Sequence, residues 1–138
     1  MELTIGLSHK SELTVTDDKT AQAMGSGDMP VLATPALVAL MENAAMLAVA
    51  GALAEGDTTV GAQIAVEHLR PSPQGMEVTA TATLTAVDGR RLTFDIEAHD
   101  STGAPIGHAT HVRYIVARER FLLRTSSAKP NACSTTPR

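Results

Sequence analysis

The chain has 138 residues, a formal net charge of -4 and 2% aromatic residues. This length predicts one domain with a modest core, here built from Ala, Val, Leu, Ile and Met. The acidic balance argues against nucleic-acid binding, which needs a cationic surface. Cys133 is the only cysteine, so no intramolecular disulfide can form, and we expect a reducing, cytoplasmic setting.

The first part of the chain predicts a strand, a loop and a long helix. Residues 11–17 alternate and predict the strand, while the Gly- and Pro-containing stretch 18–33 predicts the loop. Thr34 and Pro35 are typical of a helix start, with Thr34 as the N-cap and Pro35 at the first helical position. The helix is expected to run to about Ala54 and to be enclosed, because it is apolar on almost every face.

This helix contains one charged side chain, Glu42, followed by Asn43. They divide the apolar segment into two pieces that are both shorter than the roughly 18 residues of a membrane span. We therefore expect a helix inside a folded domain and no membrane partner. A buried carboxylate is costly unless it is paired or used. Glu42 is thus either a functional residue or a structural partner of a cation such as Arg113.

Residues 58–117 predict four strands, over 58–69, 76–87, 91–100 and 105–117. Asp88-Gly89 is typical of a tight hairpin between the second and third of these strands. One buried helix followed by an antiparallel meander predicts the α+β class, with a sheet wrapped around one long central helix, which is the hot-dog architecture. Open sheet edges favour pairing between subunits, so we expect a homodimer. The predicted domain covers residues 1–123, and 124–138 are predicted to be a disordered polar tail.

Three segments carry a resemblance to a known family: LATPALVALMENAA, VGAQIAVEHLRPSPQGMEVTATA and LTAVDGRRLTFDIEAHDSTGAPIGHATHVRY. Over about residues 8–120 the chain resembles the fluoroacetyl-CoA thioesterase type of hot-dog acyl-CoA thioesterase. The resemblance implies catalytic roles for Thr34, Glu42 and His68. It also implies that the backbone of Gly61 lies by the thioester oxygen and that Arg113 contacts the substrate. It implies an acyl-CoA substrate and no further cofactor.

The implied residues suit thioester cleavage, which needs a nucleophile or activated water, a proton relay and oxyanion stabilisation. Glu42 can attack the carbonyl carbon or serve as general base for water. His68 can protonate the leaving thiolate or orient water. Thr34 can hydrogen-bond the carboxylate or the imidazole, or serve as nucleophile. We favour Glu42 as nucleophile or base and Thr34 as its partner, because a hydroxyl that caps a helix is poorly placed to lose its proton. Backbone N–H groups near Gly61 can stabilise the oxyanion.

The loop over residues 21–33 contains no aromatic residue that could cover the acyl group. The predicted activity is therefore hydrolysis of a small or short-chain acyl-CoA. A non-catalytic acyl-CoA or lipid-binding module is the alternative, suggested by the apolar helix. An enoyl hydratase on the same fold is a third hypothesis, but its Asp/His pair on a strand-to-helix loop has no clear equivalent here.

Two other groups of residues have functional interpretations of their own. His99, His108 and His111 are spaced as a possible metal cluster, but His108 and His111 have opposite parity on one strand and should point to opposite faces. We therefore predict no metal site. Arg90 and Arg91 follow the Asp88-Gly89 turn, where they are hairpin-tip residues that can also meet the phosphates of coenzyme A.

Overall fold

Five antiparallel strands form one sheet against one long helix in the computed structural model, which describes residues 2–127. The elements are β1 (Ser8–Thr14), α1 (Ala21–Met24), α2 (Thr34–Ala50), β2 (Asp57–His68), β3 (Glu77–Asp88), β4 (Arg91–Asp100), β5 (Pro105–Ala117) and α3 (Arg118–Ser127), with a 3-10 turn at Asp17–Lys19. The predicted α+β class is confirmed. Within residues 2–127, no helix combines the length and the apolar character needed to cross a bilayer.

The strand order in the sheet is β1-β3-β4-β5-β2. Strands β3, β4 and β5 form a meander, but β2 pairs with β5 at one edge of the sheet and does not pair with β3. The prediction of one continuous meander is therefore wrong at β2. Alternating residues fix which face of a strand is buried, and they do not fix which strand lies beside it.

The β3–β4 hairpin forms as its sequence predicts. Val78, Ala80, Ala82 and Leu84 are fully buried on one face of β3, as alternation requires. Asp88 pairs with Arg91 across the turn, and Gly89 takes a φ of 63°, in the left-handed region that glycine adopts without strain. Strands β3 and β4 together supply eight buried apolar side chains to the core.

Helix α2 is covered on one side only. Its buried residues pack mainly against β1 and β3, whereas Pro35, Ala39, Asn43 and Leu47 form an exposed strip along the opposite side. The expectation of full enclosure is therefore wrong for the single chain, because one sheet covers only one side of a helix. The helix also ends at Ala50 rather than near Ala54, since Gly51 caps it first.

Both ends of the domain differ from the prediction. Strand β1 begins three residues earlier than expected, and the predicted loop contains the 3-10 turn and α1. Helix α3 was not expected and runs four residues into the predicted tail. Its start is held by the Arg118 backbone N–H, which donates to the Gly56 carbonyl at 2.9 Å. The rest of the predicted tail, residues 128–138 with Cys133, lies outside the described residues.

Candidate active site

Thr34 and His68 meet where the start of α2 approaches the end of β2. The Thr34 hydroxyl Oγ1 lies 2.7 Å from His68 Nδ1. Thr34 is the first residue of the helix and Ala33 is the N-cap, so the prediction of Thr34 as N-cap is wrong by one position. The offset matters because the hydroxyl is not used to cap the helix. It is available to orient the imidazole.

His68 is half-buried, and burial lowers its pKa below the ordinary value of 6.5. The second ring nitrogen, Nε2, is buried and has no hydrogen-bond partner among the described residues. Buried polar atoms are rarely left without partners. A neutral imidazole carries one proton, so if Nδ1 holds it and donates to Thr34, the lone pair of Nε2 is free. In that tautomer the ring can accept a proton at Nε2, whereas in the other, with Thr34 donating to Nδ1, Nε2 carries the proton.

A cleft of about 360 Å³ opens beside this pair. Its walls come from the loop before α2 and from the residues after β2, and its lining includes Gly27, Asp28, Met29, Thr34, His68, Leu69 and Arg70. This volume lies at the small end of the range of roughly 300–1,000 Å³ found for small-molecule sites. The cleft can hold a small acyl group next to the imidazole.

Glu42 lies two turns further along α2, beside Gly61 of β2. A Cβ on Gly61 would stand 2.8 Å from Glu42 Oε2 and 3.3 Å from a terminal nitrogen of Arg113. Only a residue without a side chain therefore lets the β2 backbone approach this carboxylate so closely. Glu42, Gly61 and Arg113, three of the five predicted site residues, are neighbours in space.

Arg113 is buried and held by Thr59 rather than by Glu42. Its Nε donates to Thr59 Oγ1 at 2.8 Å, and a terminal nitrogen donates to the Thr59 carbonyl at 3.0 Å. The ion pairs within 4.0 Å among residues 2–127 are Lys19–Asp18 and His108–Glu67, so the structural Glu42–Arg113 pair is not formed. Burial lowers the pKa of Arg113, and the nearby Glu42 carboxylate opposes this shift. The carboxylate remains free to act on a ligand.

His111 belongs to the same group, although the sequence pointed to it only as a possible metal ligand. It is 1% exposed, its Nδ1 lies 2.8 Å from the Gln63 carbonyl, and its Nε2 lies 3.3 Å from Arg113. Burial is the main cause that lowers its pKa. A neutral ring donating to Gln63 can accept from Arg113, so His111 positions the guanidinium.

The positions of Thr59 and His111 in the sequence could have identified them as neighbours of the proposed site. Thr59 lies two residues before Gly61, and His111 two before Arg113, so each shares a strand face with a predicted site residue. His108 instead points to the opposite face and pairs with Glu67 at 3.1 Å, as its parity predicts. Within residues 2–127, no group of three or more His, Cys, Asp or Glu side chains is arranged to hold a metal ion.

The predicted residues thus form two groups in one chain. Thr34 and His68 lie at one end of α2, and Glu42, Gly61 and Arg113 lie near its middle. Glu42 lies eight positions after Thr34 in the helix, which is about 12 Å along the axis. Among the described residues, no hydrogen bond joins Glu42 to His68. Within one chain the two groups are therefore separate, and the three predicted catalytic residues do not all meet.

The family model described as "FlK: Fluoroacetyl-CoA-specific thioesterase" matches residues 15–119. The fluoroacetyl-CoA thioesterase of Streptantibioticus cattleyicolor is 39% identical over 100 residues, which are 72% of this chain and 71% of that protein. A mutant of FlK in complex with acetyl-CoA superposes with a TM-score of 0.86 at 31% identity, covering 93% of this chain and all of that one.

A hot-dog-like protein from Thermanaerovibrio acidaminovorans superposes with a TM-score of 0.83 at 23% identity, over 94% of this chain and 95% of that chain. This similarity concerns the fold alone, and it confirms the predicted hot-dog architecture. The family match covers most of the chain, including all five predicted site residues. The chain therefore belongs to the fluoroacetyl-CoA-specific thioesterase family, which places it among the thioester hydrolases.

Proposed function

We propose that this protein hydrolyses a small or short-chain acyl-CoA to the free acid and coenzyme A. The observation that carries the proposal is the Thr34–His68 hydrogen bond of 2.7 Å between two residues that line the 360 Å³ cleft. A hydroxyl that orients an imidazole with a free second nitrogen is the arrangement that proton transfer requires. The modest cleft volume favours a short acyl chain over a long one.

The proposed reaction adds water across the thioester carbon–sulfur bond. His68 Nε2, or the Glu42 carboxylate, takes a proton from water as its oxygen attacks the carbonyl carbon. Glu42 can instead attack the carbonyl directly, with water then hydrolysing the anhydride. Backbone N–H groups beside Gly61 stabilise the oxyanion. The carbon–sulfur bond breaks, and the leaving thiolate receives the proton. The chemistry needs water and protein groups, with no further cofactor.

The lowered pKa of His68 favours a relay, in which the ring first accepts a proton and then passes it on, over a general acid that is protonated from the start. Burial disfavours the imidazolium, so the ring is neutral at pH 7 and must gain a proton before it can give one. We expect kcat/KM to be flat from pH 7 to 8 and to fall below pH 6.5, as protonation removes the free lone pair. The measurement is a pH–rate profile for the wild type and for His68→Gln, which should lack this acid limb. Activity that rises as the pH is lowered from 8 to 6 would contradict the relay.

We further propose that the active form is a homodimer. Strand β2 is an edge strand of 12 residues, paired only with β5 among the described residues. It contains neither Lys nor Pro, which usually protect an exposed edge. A second copy pairing antiparallel along β2 would cover this edge and bring its own His68 toward Gly61 and Glu42. The single cysteine fits the cytoplasmic setting that we propose.

The test of the proposed activity is thiol release from a series of acyl-CoAs. Purified protein is incubated with acetyl-CoA, butyryl-CoA and palmitoyl-CoA, and free thiol is measured against a protein-free blank. We expect turnover of the short thioesters and a fall in kcat/KM of tenfold or more, a loss of about 1.4 kcal/mol of transition-state stabilisation, for the long one. Tight binding of all three without thiol release would reject hydrolysis and favour an acyl-CoA-binding module.

A further inference from the structure

The C-terminal part of the chain carries a charge opposite to that of the rest. The sequence has eleven Lys and Arg against fifteen Asp and Glu. Five of the basic residues and one acidic residue follow Ala117, so this part has a net charge of +4 and the residues before it have -8. Helix α3 begins this basic part. A local cationic element on an acidic protein favours anionic ligands.

Three arginines surround one pocket of about 190 Å³ between α3 and the end of β5. Arg120 and Arg124 lie one turn apart on α3, and Arg90 comes from the β3–β4 hairpin. The floor is formed by Ile115, Val116 and Phe121. Arg90 is fixed in place, because one of its terminal nitrogens donates to the Ile115 carbonyl at 3.1 Å. We call Arg90, Arg120 and Arg124 the arginine pocket.

Within residues 2–127, the arginine pocket has no anionic side chain at ion-pair distance. None of its arginines forms an ion pair within 4.0 Å in the part of the chain that the structure describes. The sequence after residue 127 contains no Asp or Glu side chain. Like charges one turn apart on a helix repel each other. Guanidinium groups grouped in this way are suited to phosphate, which they can bind with two parallel hydrogen bonds.

The position of the arginine pocket links it to the proposed active site. Ile115, on its floor, lies two residues after Arg113 and on the same face of β5, roughly 7 Å along the strand. The pocket therefore follows Arg113 along the same strand, in the direction of the chain. We propose that the arginine pocket binds phosphate groups at the nucleotide end of the CoA thioester. This inference rests on the proposed function, because it assigns one end of the same substrate.

The test compares Arg120→Gln/Arg124→Gln with Arg118→Gln. Arg118 is on the same helix but lines a different cleft, with Glu55, Asp57 and Glu119, so it is a matched control. Calorimetry with CoA and with pantetheine, which lacks the nucleotide phosphates, separates the contribution of those phosphates. We expect the double variant to raise the Kd for CoA about tenfold or more, and to leave the Kd for pantetheine unchanged. An unchanged Kd for CoA, or an equal loss in Arg118→Gln, would overturn the proposal.

Kinetics provide the second readout. The double variant should raise the KM for a short acyl-CoA with kcat within about twofold, and should not change the KM for the matching acyl-pantetheine. Arginine-dependent CoA binding without any thiol release would reject the hydrolase and retain the phosphate site. Normal hydrolysis with arginine-independent CoA binding would reject the phosphate site and retain the hydrolase.

Discussion

Replacing Glu42 by Gln is expected to lower kcat/KM for a short acyl-CoA by about 10³-fold, within the 10²–10⁴-fold range found for general acid–base groups. The change keeps the size of the side chain and removes the charge that is proposed to take the proton or attack the carbonyl. Glu42 forms no ion pair within residues 2–127, so the fold loses little when the charge is removed. The measurement is steady-state thiol release, with thermal unfolding to confirm that the variant is folded.

The matched control for this change is Glu67→Gln. Glu67 is also a carboxylate near the proposed site in sequence, but it is exposed and pairs with His108 on the outer face of the sheet. Surface ion pairs contribute little to stability, typically about 0–1 kcal/mol. We expect Glu67→Gln to retain wild-type activity. Equal activity of wild type and Glu42→Gln would remove Glu42 from the mechanism.

Mixing two variants of strongly reduced activity tests whether the site is shared between subunits. When Glu42→Gln and His68→Gln are co-expressed, a mixed dimer holds one site with both residues intact only if they come from different chains. Activity should then recover to about a quarter of the wild-type value. Half of the dimers are mixed, and in each mixed dimer one of the two sites is intact. No recovery in a verified mixed dimer would place both residues in one chain's own site.

Gly61→Ala is expected to lower kcat/KM about 10²-fold while changing the free energy of unfolding by less than about 1 kcal/mol. The new Cβ would stand 2.8 Å from Glu42 Oε2, and the end of a flexible side chain can move away at low cost. The carboxylate is then displaced by an ångström or so from its working position, and such misplacement can cost about 10² in rate. Activity and chemical unfolding are measured on the same preparation.

Gly107→Ala is the contrasting substitution, because its Cβ meets backbone rather than a side-chain end. That Cβ would stand 2.8 Å from the Glu67 carbonyl oxygen and 3.2 Å from Leu37 Cδ2. Overpacking of this kind typically costs about 1–3 kcal/mol. We therefore expect Gly107→Ala to lose stability, whereas Gly61→Ala loses activity. A stability loss at Gly61 as large as that at Gly107 would mean that Gly61 has a purely structural role.

Local patterns in the sequence specify much of this fold. Alternation and the Asp88-Gly89 turn predicted β4 and β5 with their observed bounds, and β3 to within a residue. The end of α2 was missed because Gly51 and Gly56 are both suitable stops, and apolar residues continue between them. Helix α3 was missed because its sequence, RERFLLRTSS, is mostly polar, and its contacts with the end of β5 are not visible in a local pattern.

The residues of the proposed site could be selected from the sequence, but their arrangement in space could not. Glu42 stands out as the one charge in an apolar helix, and the family resemblance supplied Thr34 and His68. The contact between Thr34 and His68 depends on where β2 ends relative to α2, since 34 residues separate them in the chain. The support of Arg113 by Thr59 depends on the pairing of β2 with β5, which alternation cannot reveal.

The loop that borders the cleft is separate from the groups proposed to react. Gly27, Asp28 and Met29 line the cavity, whereas Thr34, Glu42 and His68 belong to α2 and β2. Substitutions in this loop should therefore alter the shape of the cavity while leaving the backbone positions of Thr34, Glu42 and His68 unchanged. Such a separation would allow acyl preference to change independently of the groups proposed to react.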